Sequence, residues 1–180
     1  MSGQLARAVR TIKQGGVVAY ATEYCFGLGC DPMNRAAVLR LLRIKRRPVQ
    51  KGLILIAADR EQLAPYVDDI PPAAAATWPG PHTWLLKPRD GVPGWITGEH
   101  PRIALRVTAH AQAAALCRLA GMAVVSTSAN RGGGRPVRSF RDAVRQFRGE
   151  VDYILPGLVG DAPAPTPIRD AVTGLLIRPG

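Results

Sequence analysis

The chain has 180 residues, 47% hydrophobic and 21% charged, a balance that fits one soluble globular domain with a real core. Lys and Arg number 24 against 13 Asp and Glu, a net charge of +11, which favours polyanionic partners and equally describes a solvated basic surface. No segment reaches the roughly 18 apolar residues of a membrane helix, and the N-terminus lacks the apolar region of a signal peptide.

Leu5, Val9 and Ile12 share one face of an N-terminal helix that Gly15 and Gly16 stop. VVAYA (17–21) predicts a strand, and TEYCFGLGCD (22–31), with two glycines, a loop or strand-to-loop transition. Asn34 caps a helix to about Lys45, with Val38, Leu41 and Leu42 inward. LILIA (53–57) is an apolar strand. Residues 59–67 predict a helix that Pro65 disturbs, and 71–81 a short helix ended by Pro-Gly-Pro. TWLLK (83–87) and IALRV (103–107) are strands separated by loop, and 109–121 is a helix closed by Gly121. A strand then runs into STSAN (126–130). RGGGRP (131–136) is flexible, 139–147 is a Ser-capped helix, YIL (153–155) a strand, 160–167 a Pro-rich loop and LLIR (175–178) a last strand. Alternating strands and helices make an α/β domain, without repeat or linker, over residues 1–180.

The chemistry-bearing residues do not form a standard motif. There is no GxxxxGK[ST] loop, no GxGxxG fingerprint and no GxSxG elbow. Cys25, Cys30 and Cys117 lack a CxxC pair, and His82, His100 and His110 lack ligand spacing, so no resident metal site is expected. KRRPVQK (45–51) puts four cations in seven residues, suited either to the negative end of a helix or to phosphate. Arg106 ends an apolar strand and needs an anion there: Glu23, Asp170 or a ligand carboxylate. STSAN is either a capped turn or a place where small hydroxyls let phosphate approach. Trp78 in TWPGPHT is either a packed indole or one wall of a cleft.

LLRIKRRPVQKGLIL (41–55), MAVVSTSAN (122–130), YATEYCFGLG (20–29), TWPGPHT (77–83) and IRDAVTGLLIRPG (168–180) occur in one order, and in that order they resemble the YrdC/TsaC family. The resemblance runs from about Val9 to Gly180, with departures at Ala21, Tyr24, Pro167 and RGGGRP. Members of that family make threonylcarbamoyl-AMP for the modified base t6A of tRNA. The resemblance implies a single domain with a twisted, open, mixed sheet, flanking helices and a concave basic cleft. It implies a short form, because the chain stops at IRPG without the linker and extra domain of longer relatives. It implies that Lys45 and Arg47 are the catalytic cations and bind ATP together with Lys51, Ser128, Asn130 and Arg178. It implies that Thr22, Arg106, Ser126 and Thr166 bind threonine. ATP with Mg2+, L-threonine and bicarbonate would be the reactants, and t6A-transfer proteins the recipients, in the cytoplasm.

Two alternatives stand beside this one. A carbamoyl-adenylate enzyme would use carbamoyl phosphate instead of threonine; it is known inside larger chains with further parts that this sequence lacks. A non-catalytic RNA-binding or ribosome-maturation factor would use the +11 charge, against which stand 6% aromatics and no RNP-type motif. Weak RNA or tRNA binding is expected from the charge under either enzyme reading.

Overall fold

A computed structural model describes residues 2–180. The first helix, α1, is Ser2–Lys13, and Gly15 follows it with φ of 80°. Strand β1, Val18–Ala21, pairs antiparallel with β2, Phe26–Gly29. The second strand lies where a loop or strand-to-loop transition was expected. Its glycines hid it, since glycine is a poor strand former. Gly29 is required here: a Cβ on it would lie 2.5 Å from the Val125 carbonyl and 2.7 Å from the Tyr20 ring.

Helix α2, Arg35–Lys45, starts where the sequence says, with Asn34 Oδ1 accepting from Ala37 N–H at 3.0 Å. Strand β3, Ile54–Ala57, follows. The expected helix over 59–67 is only a 3-10 turn, Glu61–Leu63, because Pro65 can neither donate nor fit in a helix interior. A one-turn helix α3, Pro72–Ala75, leads to β4, Thr83–Leu86. Another single turn, α4 at Gly94–Thr97, interrupts the expected loop before β5, Ile103–Val107. Then come α5, Ala111–Ala120, β6, Val124–Ser128, and α6, Phe140–Phe147, which Ser139 caps. The chain closes with β7, Tyr153–Ile154, β8, Ile168–Asp170, and β9, Leu176–Arg178. β8 was not foreseen, because its prolines precede only three residues of strand.

The strands form one open mixed sheet in the order β7-β1-β2-β6-β3-β5-β4-β8-β9. Side chains alternate between its faces. Val18, Tyr20, Ile56 and Val124 face one way and bury Ile12 of α1 with Leu116 and Cys117 of α5. Ala19, Leu28, Leu55 and Val125 face the other way, against Val38 and Leu41 of α2 and Phe147 of α6. Each fully buried Leu or Ile contributes about 1.5–3 kcal/mol of transfer free energy, so both faces hold the sheet's register. Cys25, Cys30 and Cys117 are buried and unlinked. No helix among the described residues is long and apolar enough to cross a membrane.

Candidate functional site

The sheet brings together residues far apart in sequence. The β1–β2 turn supplies Thr22 and Glu23, β5 supplies Arg106, and β6 supplies Ser126 and Ser128. The approach to β8 supplies Thr166, the segment after α2 supplies Arg47, and β9 supplies Arg178. These residues line one cavity of about 310 Å3. A smaller cavity of about 220 Å3 adjoins it, shares Arg47 and Arg178, and is lined also by Lys51 and Arg102.

All four residues expected to bind threonine line the larger cavity. Arg106 is 5% exposed and ion-pairs with Glu23, Nη2 to Oε2, at 3.1 Å. Its Nη1 donates to Thr166 Oγ1 at 3.0 Å, and Thr166 Oγ1 lies 3.1 Å from Thr83 Oγ1. Thr108 Oγ1 donates to the other Glu23 oxygen at 2.6 Å. Burial pushes the Glu23 carboxyl up, but Arg106 and the Thr108 hydroxyl outweigh it and hold it below its ordinary range. Arg106 Nε is buried without a hydrogen-bond partner. Thr22 folds its own turn, Oγ1 donating to the Cys25 carbonyl at 2.7 Å. The segment after β7 lies over it, with Gly160 N–H on the Thr22 carbonyl at 3.0 Å and Ala162 N–H on Glu23's at 3.1 Å. A Cβ on Gly160 would sit 2.9 Å from the Glu23 carbonyl oxygen.

The expected phosphate residues divide. Arg47, Ser128 and Arg178 line the cavity. Arg47 is anchored by Nη2 to the carbonyls of Lys51 at 3.2 Å and Gly52 at 3.0 Å, and its Nε has no hydrogen-bond partner. Arg178 Nη2 donates to the Thr166 carbonyl at 2.7 Å. Burial, then Arg178, lowers the Arg47 pKa; burial, then Arg106, lowers that of Arg178. Guanidinium nevertheless stays charged. Three guanidiniums therefore crowd one cavity in which Glu23 is the one carboxylate among the lining residues. An anionic ligand would relieve the mutual repulsion, and three planar forks suit carboxylate and phosphate oxygens. Lys51 faces the smaller cavity. Lys45 and Asn130 stand behind Ser128: Lys45 Nζ donates to the Ser128 carbonyl and to both oxygens of Asn130.

Some expectations gain a different role. Asp170 pairs loosely with Arg102 at 3.7 Å, while its Oδ1 accepts from Val172 and Thr173 N–H groups at 2.9 Å each. Trp78 is a packed indole, its Nε1 donating to the His82 carbonyl at 2.7 Å. Glu23 was legible only as a partner for Arg106, yet it lines the cavity itself. Tyr24 lines it too, with the Arg138 guanidinium 4.9 Å from its ring centre. Among the described residues no group of three or more His, Cys, Asp or Glu could hold a metal ion.

Residues 10–180 match the Sua5/YciO/YrdC family model, which carries the description "Telomere recombination". A threonylcarbamoyl-AMP synthase of Nitrosococcus oceani is 49% identical over 175 residues, 95% of each chain. Another of Methylococcus capsulatus is 51% identical over 179 residues, 97% of this chain and 96% of that one. Among solved structures, Pyrococcus abyssi Sua5 complexed with L-threonine superposes with a TM-score of 0.91 at 31% identity. That match covers 98% of this chain, which spans 54% of the longer one. Escherichia coli YciO superposes with a TM-score of 0.86 at 26% identity, covering 100% and 90% of the two chains.

Proposed function

The chain belongs to the Sua5/YciO/YrdC family, and from that membership we infer that it makes threonylcarbamoyl-AMP from L-threonine, bicarbonate and ATP, releasing pyrophosphate and water, for t6A of tRNA. The observation that carries this reading is the convergence of Arg47, Arg106 and Arg178 on one cavity beside the hydroxyls of Thr22, Ser126, Ser128 and Thr166. An amino acid and a nucleoside triphosphate bring the negative charge those guanidiniums lack.

The cavity divides the work. Arg106 grips the threonine carboxylate, using the Nε that has no partner in the free protein. Glu23, held ionised beside it, faces the threonine ammonium, so the existing ion pair opens onto a zwitterion of matching charge. The threonine amine, once deprotonated, captures CO2 from bicarbonate as a carbamate. A carbamate oxygen then attacks the α-phosphorus, and the bond to pyrophosphate breaks. Arg47 and Arg178 neutralise the phosphate oxygens on which charge builds, and Ser128 lets them approach closely. No side chain needs to become a nucleophile; the rate comes from proximity and electrostatic stabilisation. Mg2+ carried by the triphosphate would neutralise phosphate charge, with the hydroxyls of Ser126, Thr127 and Ser128 on the wall beside it. The product is a mixed anhydride, to be passed to cytoplasmic proteins that transfer its carbamoyl-threonine to adenosine of tRNA. The residues that carry these steps all belong to one folded unit among the described residues.

The test is product analysis. Purified protein with ATP, Mg2+, bicarbonate and a panel of amino acids is expected to yield one adenylate by mass spectrometry, from L-threonine. An adenylate formed equally from serine, valine and threonine, or none at all, would overturn the assignment.

A further inference from the structure

Lys45 ends α2, yet it is only 5% exposed. Lysine is almost never buried so deeply without a partner. Its Nζ donates to the Ser128 carbonyl, to the Asn130 carbonyl at 3.0 Å and to Asn130 Oδ1 at 3.1 Å. An ammonium has three hydrogens, and three acceptors use them all. The backbone of the same residue holds the next step of the chain, since Gly132 N–H donates to the Lys45 carbonyl at 3.1 Å. Asn130 extends the network: its Oδ1 accepts from Ser128 Oγ at 2.7 Å and its Nδ2 donates to the Gly134 carbonyl at 2.8 Å. One lysine thus ties the end of β6 to the glycine-rich segment that follows.

We propose that Lys45 is a positioning residue rather than a phosphate ligand: it sets the turn from Ser128 to Asn130, and that turn meets the phosphates. The proposal rests on the reading of the cavity as an ATP site. Ser128 lines the cavity and Lys45 lies behind it. To reach a phosphate, Nζ would have to abandon at least one of these part-buried acceptors, and an acceptor left unpaired away from water is costly. The three acceptors converge on one nitrogen, a geometry suited to ammonium and not to the flat fork of guanidinium. All three acceptors are uncharged amide oxygens. Burial, and then Arg47, accordingly push the Lys45 pKa down to about 8.

The experiment measures ATP and L-threonine affinity by calorimetry in the wild type, Lys45→Met, Lys45→Arg, Asn130→Ala and the Lys45→Met/Asn130→Ala double variant. The Lys45 ammonium is also followed by proton–nitrogen NMR in ligand-free protein. Lys45→Met and Asn130→Ala should each weaken ATP about tenfold to a hundredfold, the scale of a charge-assisted hydrogen bond. The double variant should be within about twofold of the weaker single variant, because both changes break one network. Lys45→Arg should fail to restore ATP affinity, and L-threonine affinity should stay within about threefold of wild type throughout. The ammonium should exchange slowly without ATP and lose that protection in Asn130→Ala. Should Lys45→Met not fold, Lys45→Arg, Asn130→Ala and the NMR signal decide. Multiplying losses in the double variant, wild-type ATP affinity in Lys45→Arg, or protection that appears only with ATP would each overturn the proposal. A wild type that binds no ATP would overturn the cavity's assignment itself, whereas ATP binding with multiplying losses overturns the role of Lys45 alone.

Discussion

Replacing Arg106 with Met keeps most of the aliphatic stem and removes the guanidinium. Glu23 then remains buried with Thr108 as its side-chain donor and without its guanidinium partner. Removing one partner of a buried pair costs about 3–5 kcal/mol. For a chain of 180 residues, each kcal/mol moves Tm by about 2–4 °C, so the expected fall is roughly 6–20 °C near neutral pH. The pH dependence gives a sharper check. In the wild type Glu23 is held below its ordinary value of 4.5, so its stabilisation is present above that pH and is lost as pH falls through the lowered value. In Arg106→Met, burial dominates and raises the Glu23 pKa. Its penalty is then present while the carboxyl is charged and is relieved as pH falls through the raised value. The Tm gap between the two proteins should therefore be widest near pH 7.5 and narrow by about pH 5. Thermal unfolding by circular dichroism at both pH values measures it, and calorimetry on the same samples should show L-threonine binding lost. A gap that is constant with pH, or L-threonine binding that survives, would refute the reasoning that Glu23 and Arg106 form one charge-balanced substrate clamp.

Arg47→Lys keeps the charge and loses the fork, so kcat/KM for ATP should fall by the equivalent of about 2–3 kcal/mol, measured from steady-state pyrophosphate release. Unchanged kinetics would mean that bulk charge suffices. Arg178→Ala should weaken ATP binding in a titration while Tm shifts by no more than about 4 °C, because it removes one hydrogen bond to the Thr166 carbonyl. RNA should bind weakly and without sequence preference, its affinity falling about tenfold or more between about 50 and 200 mM salt, as filter binding would show.

Much of this molecule was readable from its residues, for reasons that differ by element. Asn34 and Ser139 announced two helices because a side-chain cap is a local signal. β2 and β8 were obscured because their signals are not local: Gly29 is demanded by Val125 of the neighbouring β6 and Tyr20 of β1, and β8 exists by pairing with β4. Glycine there reads as loop until its neighbours are known. The motifs singled out residues that the sheet brings together: Thr22, Arg47, Arg106, Ser126, Ser128, Thr166 and Arg178 line one cavity. Direction was not legible. Lys45 and Arg47 are two residues apart in a basic run, yet one turns into the fold and the other onto the cavity, since Arg46 between them adopts a left-handed conformation with φ of 52°. Arg106 demanded an anion, and the sequence could not choose among Glu23, Asp170 and a ligand; the structure pairs it with Glu23.

The central claim is that adenylation waits on a carbamate made from threonine. Pyrophosphate release by the purified protein, with each reactant omitted in turn, tests it most directly. The account predicts release only when ATP, L-threonine and bicarbonate are all present, with no release when carbamoyl phosphate replaces threonine and bicarbonate. Equal release from ATP and carbamoyl phosphate without threonine would contradict it.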